Sequence, residues 1–244
     1  MVGGLVREHT QQAGERAEGV ILVRNNDDVP RDIVVHQVDY LFQADGSNEF
    51  AEAGSTPRSN ADWIRFSPNQ TLVPARSTAQ VYYSVQVPAQ AELQGSYWSL
   101  LMVEARPLPA TEPTPSIRRG VQLNTVVRYG VQIITDIGGG QGTALTFASS
   151  ALQPIDGKPT LVLDIENSGD LQLRPTVWID IFDQDGARVD RVESPTTSRL
   201  LPGCSARYLL DVSHLAPGLY NGLVIADGGD DRVFGTDYSL DLRR

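Results

Sequence analysis

The residues of this chain with chemistry to offer are three histidines, one cysteine and two short acidic clusters. His9, His36 and His214 stand on separate segments, none with a Cys or Glu at metal-ligand spacing, so a zinc site would need convergence over long range. His36 lies within an alternating apolar run and reads as a packed or half-exposed face residue. Cys204 is the single cysteine, placed just after Pro202-Gly203, so no intramolecular disulfide can form and an inert thiol is expected. No Gly-x-Ser-x-Gly elbow and no acid–base pair occurs. The expectation is a protein with no catalytic residue.

The acidic clusters are the remaining ligand candidates. Asp183-Gln184-Asp185-Gly186 starts like a calcium loop, but Ser194 stands where the loop needs its closing glutamate, and a hairpin turn held by Asx chemistry accounts for the segment. Asp227-Gly228-Gly229-Asp230-Asp231 is richer in carboxylates and joins the last two strands, either as a calcium site or as an exposed polar turn. Gly138-Gly139-Gly140 lacks the helix N-terminus that a phosphate cradle requires, because Ala144-Leu145-Thr146-Phe147 is strand-like. No metal ligand set and no cofactor is therefore assigned.

The elements that would position these groups are strands. The chain has 244 residues, 22 Gly and 15 Pro, and only short stretches with helical potential, which favours all-β over α/β and two modules over one. Thirty acidic against 20 basic residues give a formal charge of -10. That field repels phosphate backbones and anionic lipid, so nucleic acid is not an expected partner. No apolar run is long enough to span a bilayer. Met1-Val2-Gly3-Gly4-Leu5 reads as the middle of a first strand, and the expectation is that a leader and a few strand residues have been removed ahead of it.

In the first half, Leu5 to Arg7 reads as part of a first strand, followed by strands over 17–24 and 33–42. Asn48 to Asn60 is expected to be an exposed loop, Trp63 to Phe66 a strand, and Thr71 to Arg76 a turn. Ala79 to Val87 alternates as a half-buried strand does, and Gly95 to Glu104 is apolar on both faces and should be central. Four prolines between Arg106 and Ser116 imply an extended loop. Val121 to Ile133 gives the longest alternation in the chain, and Gly138 to Gly142 reads as a flexible linker. The second half offers seven candidate strands, over 144–149, 160–166, 174–182, 187–192, 206–212, 218–226 and 234–242, the immunoglobulin-like pattern. The tryptophans Trp63, Trp98 and Trp178 sit in apolar strand contexts where burial is expected.

The halves also repeat one order of parts. Val23-Arg24-Asn25-Asn26, Asp45-Gly46, Leu72-Val73-Pro74 and Gly95-Ser96-Tyr97 are echoed by Asp164-Ile165-Glu166-Asn167, Asp185-Gly186, Leu200-Leu201-Pro202 and Gly218-Leu219-Tyr220. The organisation that follows is all-β: two immunoglobulin-like β-sandwich domains in tandem, residues 1–137 and 143–244, joined by 138–142. The strand from Val121 to Ile133, if at a sheet edge, would offer backbone groups and alternate side chains to a partner. Val121, Leu123, Thr125 and Val127 are its candidate partner-binding residues.

Val23-Arg24-Asn25-Asn26, Trp63-Ile64 with Ser67-Pro68, Leu72-Val73-Pro74-Ala75, Tyr97-Trp98-Ser99, the Pro-rich stretch and Arg128-Tyr129-Gly130-Val131-Gln132-Ile133 resemble the N-terminal domain of PapD-like periplasmic pilus-assembly chaperones. They are equally similar to the related immunoglobulin-like domains of bacterial surface proteins that accompany WxL-domain proteins. The resemblance covers residues 1 to about 137, while the second module is similar only in general character. It implies export to the periplasm or cell surface and a partner strand bound along the last strand of the first domain. It also implies a basic pair anchoring the client's terminal carboxylate, for which Arg7 or His9 and Arg128 are the nearest positions, with Gly130 where a lysine belongs. The expected function is a non-enzymatic chaperone-like protein that binds another envelope or surface polypeptide. The alternative is a structural or adhesive module without a cleft.

Overall fold

The computed structural model describes residues 1–89, 92–106, 126–138 and 142–242. It is all-β, two sandwiches as anticipated, apart from one 3-10 turn at Ala61–Trp63. The first strands are β1 (Val6–Gln11), β2 (Arg16–Arg24), β3 (Arg31–Phe42), β4 (Asn48–Glu52), β5 (Ile64–Ser67), β6 (Gln70–Val73), β7 (Thr78–Gln86), β8 (Gly95–Arg106) and β9 (Val127–Ile137). After them come β10 (Leu145–Ile155), β11 (Lys158–Asn167), β12 (Thr176–Phe182), β13 (Arg188–Glu193), β14 (Ser205–Asp211), β15 (Leu219–Asp227) and β16 (Val233–Asp241). The chain divides into two compact units. Unit 1 is Met1–Tyr40, Phe50–Leu93 and Tyr97–Gly138, and unit 2 is Leu41–Glu49, Gln94–Ser96 and Gly139–Arg244.

Unit 1 packs a three-stranded sheet, β2-β7-β5, against a larger one ordered β1-β9-β8-β3-β4, with β6 also on β3. Period-two alternation sends Ile33 and Val35 of β3, Leu101 and Val103 of β8, and Val131 and Ile133 of β9 inward to meet Ile21, Val81 and Val85. Each fully buried Val, Leu or Ile contributes about 1.5–3 kcal/mol. β8 lies between β9 and β3, the central place that its two apolar faces anticipated. β1 joins β9 in parallel, with Val6 opposite Gln132 and Gln11 opposite Ile137.

Two segments differ from expectation. Residues 48–60 are not simply an exposed loop: they contain β4, and Asn60 is fully buried. The buried Asp39 carboxylate accepts hydrogen bonds from Gly54 N, Thr56 N and Oγ1, and Ser59 Oγ at 2.6 Å. Asn60 Nδ2 donates to the Ile133 carbonyl and to Thr135 Oγ1, while its Oδ1 accepts from Ser99 Oγ. Polarity in this stretch therefore reflects hydrogen bonding to and by the buried Asp39 and Asn60, since buried polar atoms need partners. The other segment is Thr71 to Arg76, where residues 70–73 form β6 on β3 and only the remainder turns. An edge pairing four residues long leaves little trace in an alternation pattern.

Unit 2 packs β10-β11-β14 against β13-β12-β15-β16, one strand for each of the seven expected. Its core is Leu161, Leu163 and Ile165 facing Val177, Ile179, Ile181 and Val224. Of the tryptophans, Trp98 is buried and donates to the Tyr40 carbonyl, whereas Trp63 and Trp178 are only half-buried, the latter beneath the Arg191 guanidinium.

The sequence repeat has a structural cause. In unit 1, Asn25 Nδ2 donates to the carbonyls of Val29, Val73 and Pro74, and its Oδ1 accepts from Asp27 N. In unit 2, Asn167 Nδ2 donates to Leu171 and Leu200 carbonyls, and its Oδ1 accepts from Gly169 N. Asn25 N bonds Ser77 O, and Asn167 N bonds Cys204 O. Each copy thus ends its second sheet strand on a buried asparagine that ties the following loop to a Leu-x-Pro turn. At the tightest point of the turn the copies diverge, with Arg76 at φ 55° in one and Gly203 at φ 75° in the other.

Candidate functional site

Side chains of unit 1 that point away from its core form an apolar surface beside an open strand edge. From β3 come His36, Val38 and Tyr40, and from β8 come Leu100 and Met102, with His36 opposite Met102 and Val38 opposite Leu100. β9 adds Arg128, Gly130 and Gln132, and Leu5, Val6 and Phe50 close the sides around a cavity of about 620 Å³. Phe50 is 57% exposed, its ring 5.1 Å from that of Tyr40. An outer sheet face in water is ordinarily polar, so apolar residues here mark a surface that a partner can cover.

Gly130 gives the cavity its depth. A Cβ there would lie 3.1 Å from Leu100 Cδ1 and 3.2 Å from Met102 Sδ, so a larger residue would displace both. At the polar margin, the Glu104 side chain is 7% exposed and bonds Arg106 Nε at 2.8 Å and Arg128 Nε at 2.9 Å. Arg106 first, and then Arg128, hold its carboxyl below the ordinary glutamate value. The margin therefore carries one anion between two guanidiniums, a local excess of positive charge on an acidic chain.

The edge of β9 borders this face. Gln132 N donates to Leu5 O, so even-numbered residues of β9 turn their backbone groups toward β1 and odd-numbered ones toward β8. The β1 pairing begins at Val6–Gln132, and among the described residues no strand covers that side from Val127 to Val131. Arg128 and Gly130 consequently point N–H and C=O outward there, and their side-chain positions lie on the apolar face.

The expected site residues are distributed as follows. Val127, 47% exposed, faces the inner side of the sheet with Tyr129 beside a second opening of about 270 Å³. Val121, Leu123 and Thr125 lie outside the described residues, as do the Pro-rich stretch and residues 139–141. Arg7 and Arg128 are not brought together. Arg7 pairs in register with the core residue Ile133 and donates to the Gly4 and Val6 carbonyls, whereas Arg128 sits on the opposite face with Glu104. His9 points inward, its Nε2 3.0 Å from Tyr83 Oη, and burial, with Arg7 second, lowers its pKa.

Sequence reasoning passed over His36, Val38, Tyr40, Leu100 and Met102 as partner-binding residues. Their signal was present in strands apolar on both faces, which says that a second face is covered without saying by what.

The other chemical candidates are engaged locally. Cys204 is buried, which raises its thiol to about 11. Asp183 Oδ1 accepts from Asp185 N and Ala187 N within its hairpin turn. Asp227 Oδ1 accepts from Gly229 N, and Asp230 pairs with Arg232 at 2.7 Å. Among the described residues no group of three or more His, Cys, Asp or Glu side chains is placed to hold a metal.

No protein-family model matches the sequence, and no curated protein does. Solved structures do match, over nearly the whole chain. The class 5 fimbriae chaperone CfaA is 11% identical, covers 98% of this chain and 97% of its own, and superposes with a TM-score of 0.50. A chaperone–tip adhesin complex of CFA/I fimbriae biogenesis is 10% identical, covering 95% and 94%, also at 0.50. The Pseudomonas aeruginosa CupB2 chaperone is 12% identical, covering 97% and 98%, at 0.42. The chain has the fold of the two-domain PapD-like pilus chaperones.

Proposed function

We propose that this protein is a non-enzymatic, exported chaperone-like protein, acting in the periplasm or at the cell surface, that holds an envelope or surface polypeptide on unit 1. The partner adds a strand to the outward edge of β9 at Arg128 and Gly130 and lays alternate apolar side chains into the cavity over Leu100 and Met102. The observation that carries the reading is this coincidence of an open strand edge with an apolar outer face. One of the structures sharing the fold is a chaperone in complex with a tip adhesin, which supports the same assignment. Main-chain pairing supplies affinity with little sequence preference, and the cavity selects bulky apolar side chains.

Met102→Arg and Gly130→Leu test it: both leave the inward core of β8 and β9 intact. Each is expected to weaken partner capture by about tenfold or more, as loss of one buried apolar contact and one buried charge implies. Unchanged capture by both variants would remove the face from consideration. A second reading, a structural or adhesive envelope module, draws on the separation of Arg7 from Arg128, which do not converge on one site for a terminal carboxylate. It expects partners on turns or outer faces elsewhere.

A further inference from the structure

β1 carries a polar row into the interior of unit 1. Its register on β9 sets Arg7, His9 and Gln11 beside Ile133, Thr135 and Ile137, on the face turned toward the other sheet. The inner face of a sandwich is ordinarily apolar. Gln11 fits worst: it is 5% exposed, its Nε2 reaches the Val85 carbonyl only at 3.5 Å, and its Oε1 has no partner among the described residues. An unpaired buried acceptor keeps its full desolvation penalty. His9 meets the Tyr83 hydroxyl, and burial works against its charged form. Arg7 donates to carbonyls of its own segment rather than across the sandwich.

The attachment of β1 is otherwise short. It spans six residues and pairs with β9 in parallel, a ladder slightly weaker per residue than an antiparallel one. Glycines flank it, Gly3 at φ 88° after the bridge of Val2 to Leu22 and Gly14 at φ 83° in the turn to β2. They supply backbone freedom at both ends of the segment.

What β1 covers is the continuation of the open edge. Even-numbered residues of β9 face that side, so the edge open at Arg128 and Gly130 runs on beneath β1 through Gln132, Ile134 and Asp136. Across the sandwich from His9 and Gln11 lie the buried Tyr83 and Val85, a floor suited to apolar side chains.

We propose that β1 is an exchangeable strand: the polypeptide held on unit 1 displaces it and pairs along β9 from Arg128 to Asp136, with apolar side chains in place of Arg7, His9 and Gln11. This rests on the reading of the β9 edge as a partner site and names the partner's chemistry there, an extended segment apolar at every second position. A bound β1 lowers the partner's apparent affinity, and the better-fitting row recovers it.

The probe is an acetylated, amidated peptide of residues 5–11 with leucine at the places of Arg7, His9 and Gln11 and a lysine added at each end, titrated into the isotope-labelled full chain. Saturable binding is expected, with the amides of Val6 to Gln11 moving to the positions of an unpaired segment while that of Gln132 keeps its protection. A peptide of the unaltered residues should bind about tenfold more weakly or worse. Gln11→Leu in the protein improves the native row, so it is expected to raise the urea midpoint and yet weaken the probe about tenfold. Val6→Cys with Gln132→Cys, opposite one another in register, locks β1 when oxidised, and probe binding should vanish and return on reduction. Equal binding by the oxidised and reduced forms, β1 amides unmoved by the probe, or no saturable binding overturns the proposal. So does a concentration-dependent dimer that oxidation abolishes, which would seat β1 of a second copy on β9. The open edge at Arg128 and Gly130 is judged separately, by capture in Met102→Arg and Gly130→Leu, so the two failures are distinguishable.

Discussion

At the scale of single residues, the polar groups inside this protein set its architecture more than its chemistry. Asn167→Ala removes three hydrogen bonds: the Leu200 carbonyl keeps Leu173 N and Gly169 N keeps the Ala144 carbonyl, while the Leu171 carbonyl loses this donor. The expected cost is roughly 2–3 kcal/mol, read as a lower urea midpoint. Glu104 makes a pH-dependent contribution. Its carboxyl is held below the ordinary glutamate value by Arg106 and then Arg128, so the folded state penalises the protonated form. The contribution is complete above the unfolded value of about 4.3 and is lost as pH falls through the lower folded value. Urea midpoints should accordingly favour wild type over Glu104→Gln near neutral pH and converge below about pH 4. An advantage independent of pH would contradict this pairing.

At the scale of elements, alternation told inside from outside wherever a strand was long. The strands β3, β7 and β8 and all seven of unit 2 were legible because their apolar residues recur every second position over many residues. β4 and β6 were not, because both are short pairings on β3 whose mostly exposed residues give too brief an alternation to read. The parallel pairing of β1 with β9 joins segments more than a hundred residues apart, and no local pattern encodes it. For the candidate site, the sequence pointed to the strand that contains β9, yet the apolar face of the described structure belongs to its even-numbered positions and to β3 and β8. Hydrogen exchange can check the edge directly. The amides of Arg128 and Gly130 are expected to exchange quickly and that of Gln132, bonded to Leu5, slowly. Equal protection of all three would mean that the edge is already occupied.

At the scale of the whole molecule, two sandwiches without a disulfide rely on packing for stability, and unit 1 presents an open strand edge next to an apolar cavity. A net charge of -10 opposes association of like copies and favours basic over acidic partner segments. The repeat in the sequence reported the shared frame, the two asparagine clamps, and not the candidate site, which lies on strands of unit 1.

Unit 1 is proposed to hold a polypeptide across β9 and the face formed with β3 and β8. Site-specific photo-crosslinking in cells exporting the protein tests it most directly, with the photoreactive side chain placed in turn at Met102, Arg128 and, as the comparison on the opposite sheet, Tyr82. One discrete adduct is expected from Met102 and from Arg128, and none from Tyr82. Adducts from Tyr82 with none from Met102 or Arg128 would contradict it.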